Sequence, residues 1–127
     1  MREDMPVWRP TSREAGIRWW ATFVYHLVDP RDGEVFYVGK GRADRLRQHE
    51  REAELGTLTE KCQRIRDIWA AGKQVEMRFV GLFQYPTPST TVFQYEAEQI
   101  DTMTEQLAQR GRHLTNGRRL PEAGRAP

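Results

Sequence analysis

The segment from Trp20 to Val38 constrains the fold more than any other part of the chain. Residues 20–28, WATFVYHLV, carry the aromatic and β-branched side chains that suit a strand. Asp29-Pro30-Arg31-Asp32-Gly33 follows as a turn. Proline presets φ there, aspartate bonds its own backbone, and glycine accepts a left-handed conformation. Residues 35–38, VFYV, make a second strand, so the chain is committed to an antiparallel hairpin. A loop of the five residues Asp29 to Gly33 sets Val28 opposite Glu34 and Tyr25 opposite Tyr37, both phenols on one face. A four-residue loop would slip the register by one and separate them.

The hairpin ends at Gly39-Lys40-Gly41, and Ala43 to Leu55 reads as a polar helix. A second helix follows Gly56. Thr57 and Glu60 have the spacing of a capping box, Leu58, Cys62, Ile65 and Trp69 recur at helical period, and Gly72 suits the C′ position. Residues 74–83, QVEMRFVGLF, form a third strand, and the two prolines of residues 84–90 make a loop. A last helix runs from Thr91 to Ala108. The order β-β-α-α-β-α predicts an α/β (α+β) fold with a small, three-stranded, mainly antiparallel sheet flanked by three helices. Residues 1–18 read as an N-terminal arm, 19–116 as the domain, and 117–127 as a basic flexible tail.

Composition narrows the function classes. The chain has 127 residues, enough for one domain, and 30% are charged. No apolar run approaches the roughly 20 residues a membrane span requires, and the N-terminus lacks a secretory h-region. Cys62 has no partner for a disulfide, which suits a reducing, cytoplasmic setting. A net charge of +2 does not by itself identify a partner. Arginines do cluster at positions 42, 45, 47 and 51, and again at 110, 112, 118, 119 and 125. Such clusters neutralise phosphates or simply solvate a surface.

Two features resist a purely structural reading. Val92, Ile100, Met103 and Leu107 form one stripe of the last helix, and Glu96 falls in its middle. A carboxylate there is partly desolvated and calls for a metal, an arginine or a catalytic task, unless it snorkels from the stripe's edge. Glu98 points away. The second feature is the Tyr25/Tyr37 pair, which could equally be ordinary sheet packing. Beyond it, glycines at 39 and 41 let backbone approach an anion at a helix N-terminus. Arg45 and His49, at i and i+4, share a helix face, where a polar helix would also carry them as surface. No Walker motif, zinc-ligand spacing, nucleophile elbow or Rossmann glycine pattern is present.

The ordered set Phe23-Val24-Tyr25, Tyr37-Val38-Gly39, Arg45, His49, Glu96 and Asn116 resembles the GIY-YIG nuclease superfamily. Residues 35–41 with Arg45 and His49, and Leu114-Thr115-Asn116, are most similar to its LEM-3-type branch. Phe23 stands where the superfamily's first element has glycine. The resemblance implies a metal-dependent DNA endonuclease with Tyr25, Tyr37, Arg45, His49 and Glu96 as catalytic residues. Glu96 would hold one Mg²⁺ or Mn²⁺, and Gly39, Lys40, Arg42 and Asn116 would contact substrate. DNA is the implied partner, with structure-selective repair or defence as roles, no small-molecule cofactor, and a protein partner or homodimer as a further expectation. The competing reading is a non-catalytic nucleic-acid-binding module on the same fold.

Overall fold

The computed structural model describes residues 21–84 and 86–121; the expected N-terminal arm and residues 122–127 lie outside them. Strands β1 (Ala21–Asp29), β2 (Glu34–Gly41) and β3 (Glu76–Gln84) form one antiparallel sheet in the order β2-β1-β3. Helices α1 (Arg45–Glu54) and α2 (Glu60–Ala70) precede β3, and α3 (Ser89–Ala108) follows it. The expected fold and element order hold.

Both faces of the sheet are covered, which is why central strand β1 reads as a nearly unbroken apolar run. Phe23, Tyr25, Leu27 and Phe79 pack with Leu46, Ala53, Cys62, Ile65 and Ile68 of α1 and α2. Val24, Val38 and Val80 pack on the other face with Val92 and Leu107 of α3, and with Leu114 beyond it. Among the described residues no helix is long and apolar enough to cross a membrane.

The hairpin register differs from the expected one in an instructive way. The loop has four residues, with Asp29 opposite Glu34 and Val28 opposite Val35. Gly33 closes it at φ +76°, and the Asp29 side chain accepts from Arg31 N at 2.9 Å. Taken alone, that loop would turn Tyr37 away from Tyr25. A bulge at Phe36 corrects the parity, because Leu27 pairs with Tyr37 while Val28 pairs with Val35. Phe36 and Tyr37 therefore both pack toward α1 and α2. Tyr25 lies opposite Gly39, so the tyrosines are diagonal neighbours rather than directly opposed.

The bulge is held from outside the sheet. Phe36 O accepts from Thr115 N at 2.7 Å and from Thr115 Oγ1 at 2.8 Å. A second bulge at Val80 in β3 has its carbonyl taken by Tyr95 Oη at 2.7 Å. Each extra residue thus has its unpaired oxygen satisfied, as a buried carbonyl requires.

Other boundaries moved for local reasons. The N-cap of α2 is Thr59, whose Oγ1 accepts from Cys62 N at 3.2 Å, so the box expected at Thr57 lies outside the helix and Leu58 is exposed. Gly72 does occupy C′, at φ +77°, with Lys73 N on Ile68 O at 3.1 Å. The segment after Asn116, expected to be flexible, is docked as far as Leu120. Glu60 N donates to Arg118 O at 3.0 Å, and Leu120 N to Leu58 O at 3.1 Å. Composition suggested a tail there, but these unpaired backbone groups beside α2 recruit it.

At the turn end, Arg64 reaches from α2 to buried Asp29 (2.7 Å) and Glu34 (3.2 Å), while Arg112 bonds Glu34 at 2.9 Å. Burial pushes the Asp29 carboxyl up, but hydrogen bonds from Arg31 and Arg64 outweigh it and hold the pKa at about 2. This cluster fixes the hairpin against α2, at the end opposite Gly39–Gly41.

Candidate active site

Tyr25 and His49 form the centre of the site. The Tyr25 hydroxyl lies 2.6 Å from His49 Nε2, with both side chains buried. His49 is therefore no surface residue: with Leu46 and Ala53 it makes the buried face of α1. Its ring stands edge-on to Tyr37 at 4.9 Å between centroids, and Tyr25 and Tyr37 are 6.5 Å apart. The space for the Tyr25 phenol comes from Gly39. A Cβ there would sit 2.6 Å from the Tyr25 hydroxyl and 2.8 Å from Tyr37 Cε2. Gly39, expected beside the substrate, is buried under the tyrosines and sets their position.

Electrostatics favour neutral groups in this cluster. Burial pushes the Tyr25 phenol far above its ordinary value; Tyr37 and Glu96 add to that, against an opposing pull from Arg45. Tyr37 is raised chiefly by burial as well. His49 is driven down to about 3, by burial first and then by the charges of Lys61 and Arg45. At neutral pH the imidazole is uncharged and can accept the Tyr25 proton bond when its own proton sits on Nδ1. His49 Nδ1 is buried and has no hydrogen-bond partner among the described residues. A buried ring nitrogen without a partner is costly in a core.

Arg45 opens α1, so its guanidinium sits where the chain turns out of the sheet. A Cβ on Gly41 would meet Arg45 Cδ at 3.0 Å, so the glycine leaves room for the arginine stem. The guanidinium bonds Gln48 and is close enough to act on Tyr25, Tyr37 and His49. Arg42 is exposed at the turn before the helix.

Glu96 reaches the cluster from the opposite layer. It projects from α3, its side chain only 16% exposed, with Lys40 Nζ 3.9 Å from Oε1. Among the described residues it accepts no hydrogen bond, so a largely buried carboxylate keeps its lone pairs free beside a weak, long ion pair. Its charge raises both tyrosines across the glycine-lined end of β2. Among the described residues no three acidic, histidine or cysteine side chains converge as a cage. A lone free carboxylate fits a hard divalent ion that takes its other ligands from water and phosphate.

Asn116 does different work from that expected. Its Oδ1 accepts from Val38 N at 3.1 Å and its Nδ2 donates to Val38 O at 2.7 Å. Both ends of the amide are engaged on the outer edge of β2, between the neighbouring positions Tyr37 and Gly39. Sequence reading missed Lys61, which stands 5.2 Å over the Tyr37 ring and bonds Glu52 at 2.7 Å. Nothing in its spacing on α2 distinguishes it from a surface lysine.

A family description of the LEM-3-like GIY-YIG domain matches residues 22–123. The chain belongs to the GIY-YIG family. That membership puts the domain in a nuclease superfamily, whose substrates are nucleic acids. No curated protein and no solved structure matches the chain. Tyr25 and Tyr37, the tyrosines that resemble those of the two motif elements, lie on adjacent strands whose register depends on the Phe36 bulge. Phe23, which stands where the resemblance would put the first element's glycine, packs against Phe79 with ring centroids 4.3 Å apart.

Proposed function

We propose that this GIY-YIG domain hydrolyses DNA phosphodiester bonds, using Tyr25, Tyr37, Arg45, His49 and Glu96. The observation that carries the reading is the buried 2.6 Å contact between Tyr25 and an uncharged His49, facing Arg45. Packing alone does not call for a tyrosine–histidine–arginine group around an orphaned imidazole nitrogen.

Glu96 would hold Mg²⁺ or Mn²⁺, which when bound supplies charge to polarise the phosphate and stabilise the leaving oxygen. The chain's own residues do the rest. Arg45 pairs with the non-bridging oxygens, where charge accumulates. Tyr25 accepts a proton from the attacking water while passing its own to His49 Nε2. A new oxygen–phosphorus bond forms as the bond to the leaving oxygen breaks. The paired transfer answers a physical difficulty: a phenol held far above its ordinary pKa cannot act as a free phenolate. Burial first, and then the charges of Lys61 and Arg45, hold His49 uncharged; the substrate's negative charge offsets the two cations and so favours the imidazolium at the moment it forms. Tyr37 packs against the His49 ring and so holds it toward Tyr25, and Lys40 and Arg42 contact the backbone of the cut strand. Asn116 and Gly39 are positioning residues in this reading.

The decisive experiment compares the protein and its Glu96→Gln variant on plasmid, linear, flapped and four-way DNA, with Mg²⁺ or EDTA. Cleavage by the parent that is abolished in the variant and by EDTA is expected, with DNA binding largely retained. Full activity in Glu96→Gln would remove the basis of the reading. An inert parent that still binds DNA would make the domain a binding module. Preference for flapped or four-way DNA would support a structure-selective role in repair.

A further inference from the structure

Docking of residues 117–120 against α2 creates a feature that the catalytic scheme does not use. Tyr37, Thr59, Lys61, Thr115, Gly117, Arg118 and Arg119 line a cleft of about 340 Å³. That volume lies within the roughly 300–1,000 Å³ range of small-ligand sites. Its lining holds three cationic side chains and two hydroxyl-bearing threonines, with no carboxylate. Lys61 has a partner in Glu52, whereas Arg118 and Arg119 have no ion pair among the described residues. Tyr37 belongs to both places: one side of its ring faces His49, and Lys61 stands over it.

We propose that this cleft binds the phosphate and sugar of a nucleotide flanking the scissile one, with Arg118, Arg119 and Lys61 on the phosphate. The proposal rests on the nuclease reading and extends it by one position along the strand. An acidic peptide could neutralise the same charges, but the continuity with Tyr37 favours the polymer whose neighbouring phosphate occupies the catalytic site. Threonine hydroxyls and paired arginines are ordinary partners of phosphate and sugar oxygens. Because two of the three cations come from the C-terminal segment, the cleft exists only while that segment is docked on Leu58–Glu60.

The test is a binding experiment, so that it does not depend on turnover. Full-length Glu96→Gln protein is titrated onto labelled duplexes in which one neutral methylphosphonate is walked along the strand. The same series is run with Arg118→Ala/Arg119→Ala added. Removing both arginines from that one phosphate should weaken binding about tenfold and flatten the slope of log K against log salt by about 1. One methylphosphonate position should cost affinity in the parent and distinctly less in the arginine variant, which keeps only Lys61 on that phosphate. Lys73→Ala, a charge removed on the loop after α2, should leave that position-specific penalty unchanged. A penalty profile identical in parent and arginine variant overturns the proposal. Plasmid cleavage by the unmutated protein is measured alongside. Absent cleavage with a surviving position-specific penalty refutes the nuclease reading but keeps the phosphate cleft.

Discussion

Replacing Gly39 with alanine asks whether the tyrosine–histidine contact is a built geometry or an accident of packing. The new Cβ would lie 2.6 Å from the Tyr25 hydroxyl, 2.7 Å from Cζ of the same ring and 2.8 Å from Tyr37 Cε2. Unstrained carbon contacts lie at roughly 3.5–4.0 Å, so the Tyr25 ring must move by about 1 Å. Overpacking of this kind costs about 1–3 kcal/mol, or roughly 4–8 °C in Tm per kcal/mol for a domain of this size. A 1 Å displacement at a reacting group can cost on the order of 100-fold in rate. Thermal unfolding and single-turnover cleavage of plasmid, run side by side, separate the two effects. Gly33→Ala is the matched control: its Cβ meets nothing within 4 Å, but φ is +76°. The left-handed conformation costs it roughly 1–2 kcal/mol, with no loss of rate per folded molecule. A Gly39→Ala protein that cuts at the parent rate would refute the claim that Tyr25 must sit where it does.

Three further outcomes follow from the same geometry. His49 is held uncharged in the fold at a pKa of about 3, below its unfolded value near 6.5, so the unfolded chain binds the extra proton first. Its contribution to stability is complete above pH 6.5 and is lost as pH falls toward 3. The urea midpoint should drop across that window, and His49→Gln should shallow the drop, leaving the part due to His26, which burial also lowers, and, below about pH 4.5, the part due to Glu34 and Asp29, whose carboxyls are held below their ordinary values. Asn116→Ala removes both bonds to Val38 and should cost about 1–3 kcal/mol in chemical denaturation. Cleavage by that variant should fall through the loosened β2 edge, and Asn116→Asp should not restore it, since a carboxylate cannot donate to Val38 O. Arg45→Ala should lower turnover more than DNA affinity; the reverse, read from kcat and Kd, would make it a binding contact only.

Strands and helices were legible because each is a local pattern. The apolar run of β1 follows from burial on both faces, and the Val92–Leu107 stripe made Glu96 conspicuous. The Tyr25–Tyr37 association was legible too, but the expected reason for it was wrong. A shorter loop and a bulge cancel, and neither a loop length nor an unpaired Phe36 is written in residue type. What stabilises the bulge is Thr115, remote in sequence. The same distance hid the work of Asn116, whose amide imitates a neighbouring strand, and the approach of Lys61 to Tyr37. His49 looked like surface because α1 is polar overall; its burial depends on where α2 and the sheet close around it.

The hold of Thr115 and Asn116 on Phe36 and Val38 also bears on when the protein becomes competent during its own synthesis. The hairpin carrying both tyrosines leaves the ribosome well before Thr115 and Asn116, the residues that brace it. A nascent chain ending short of Leu114 would expose the β2 edge, with nothing to satisfy the carbonyl at the bulge. Assembly of the tyrosine pair is thereby tied to synthesis of the segment that follows α3, and a chain ending before it would lack the braced geometry of β2.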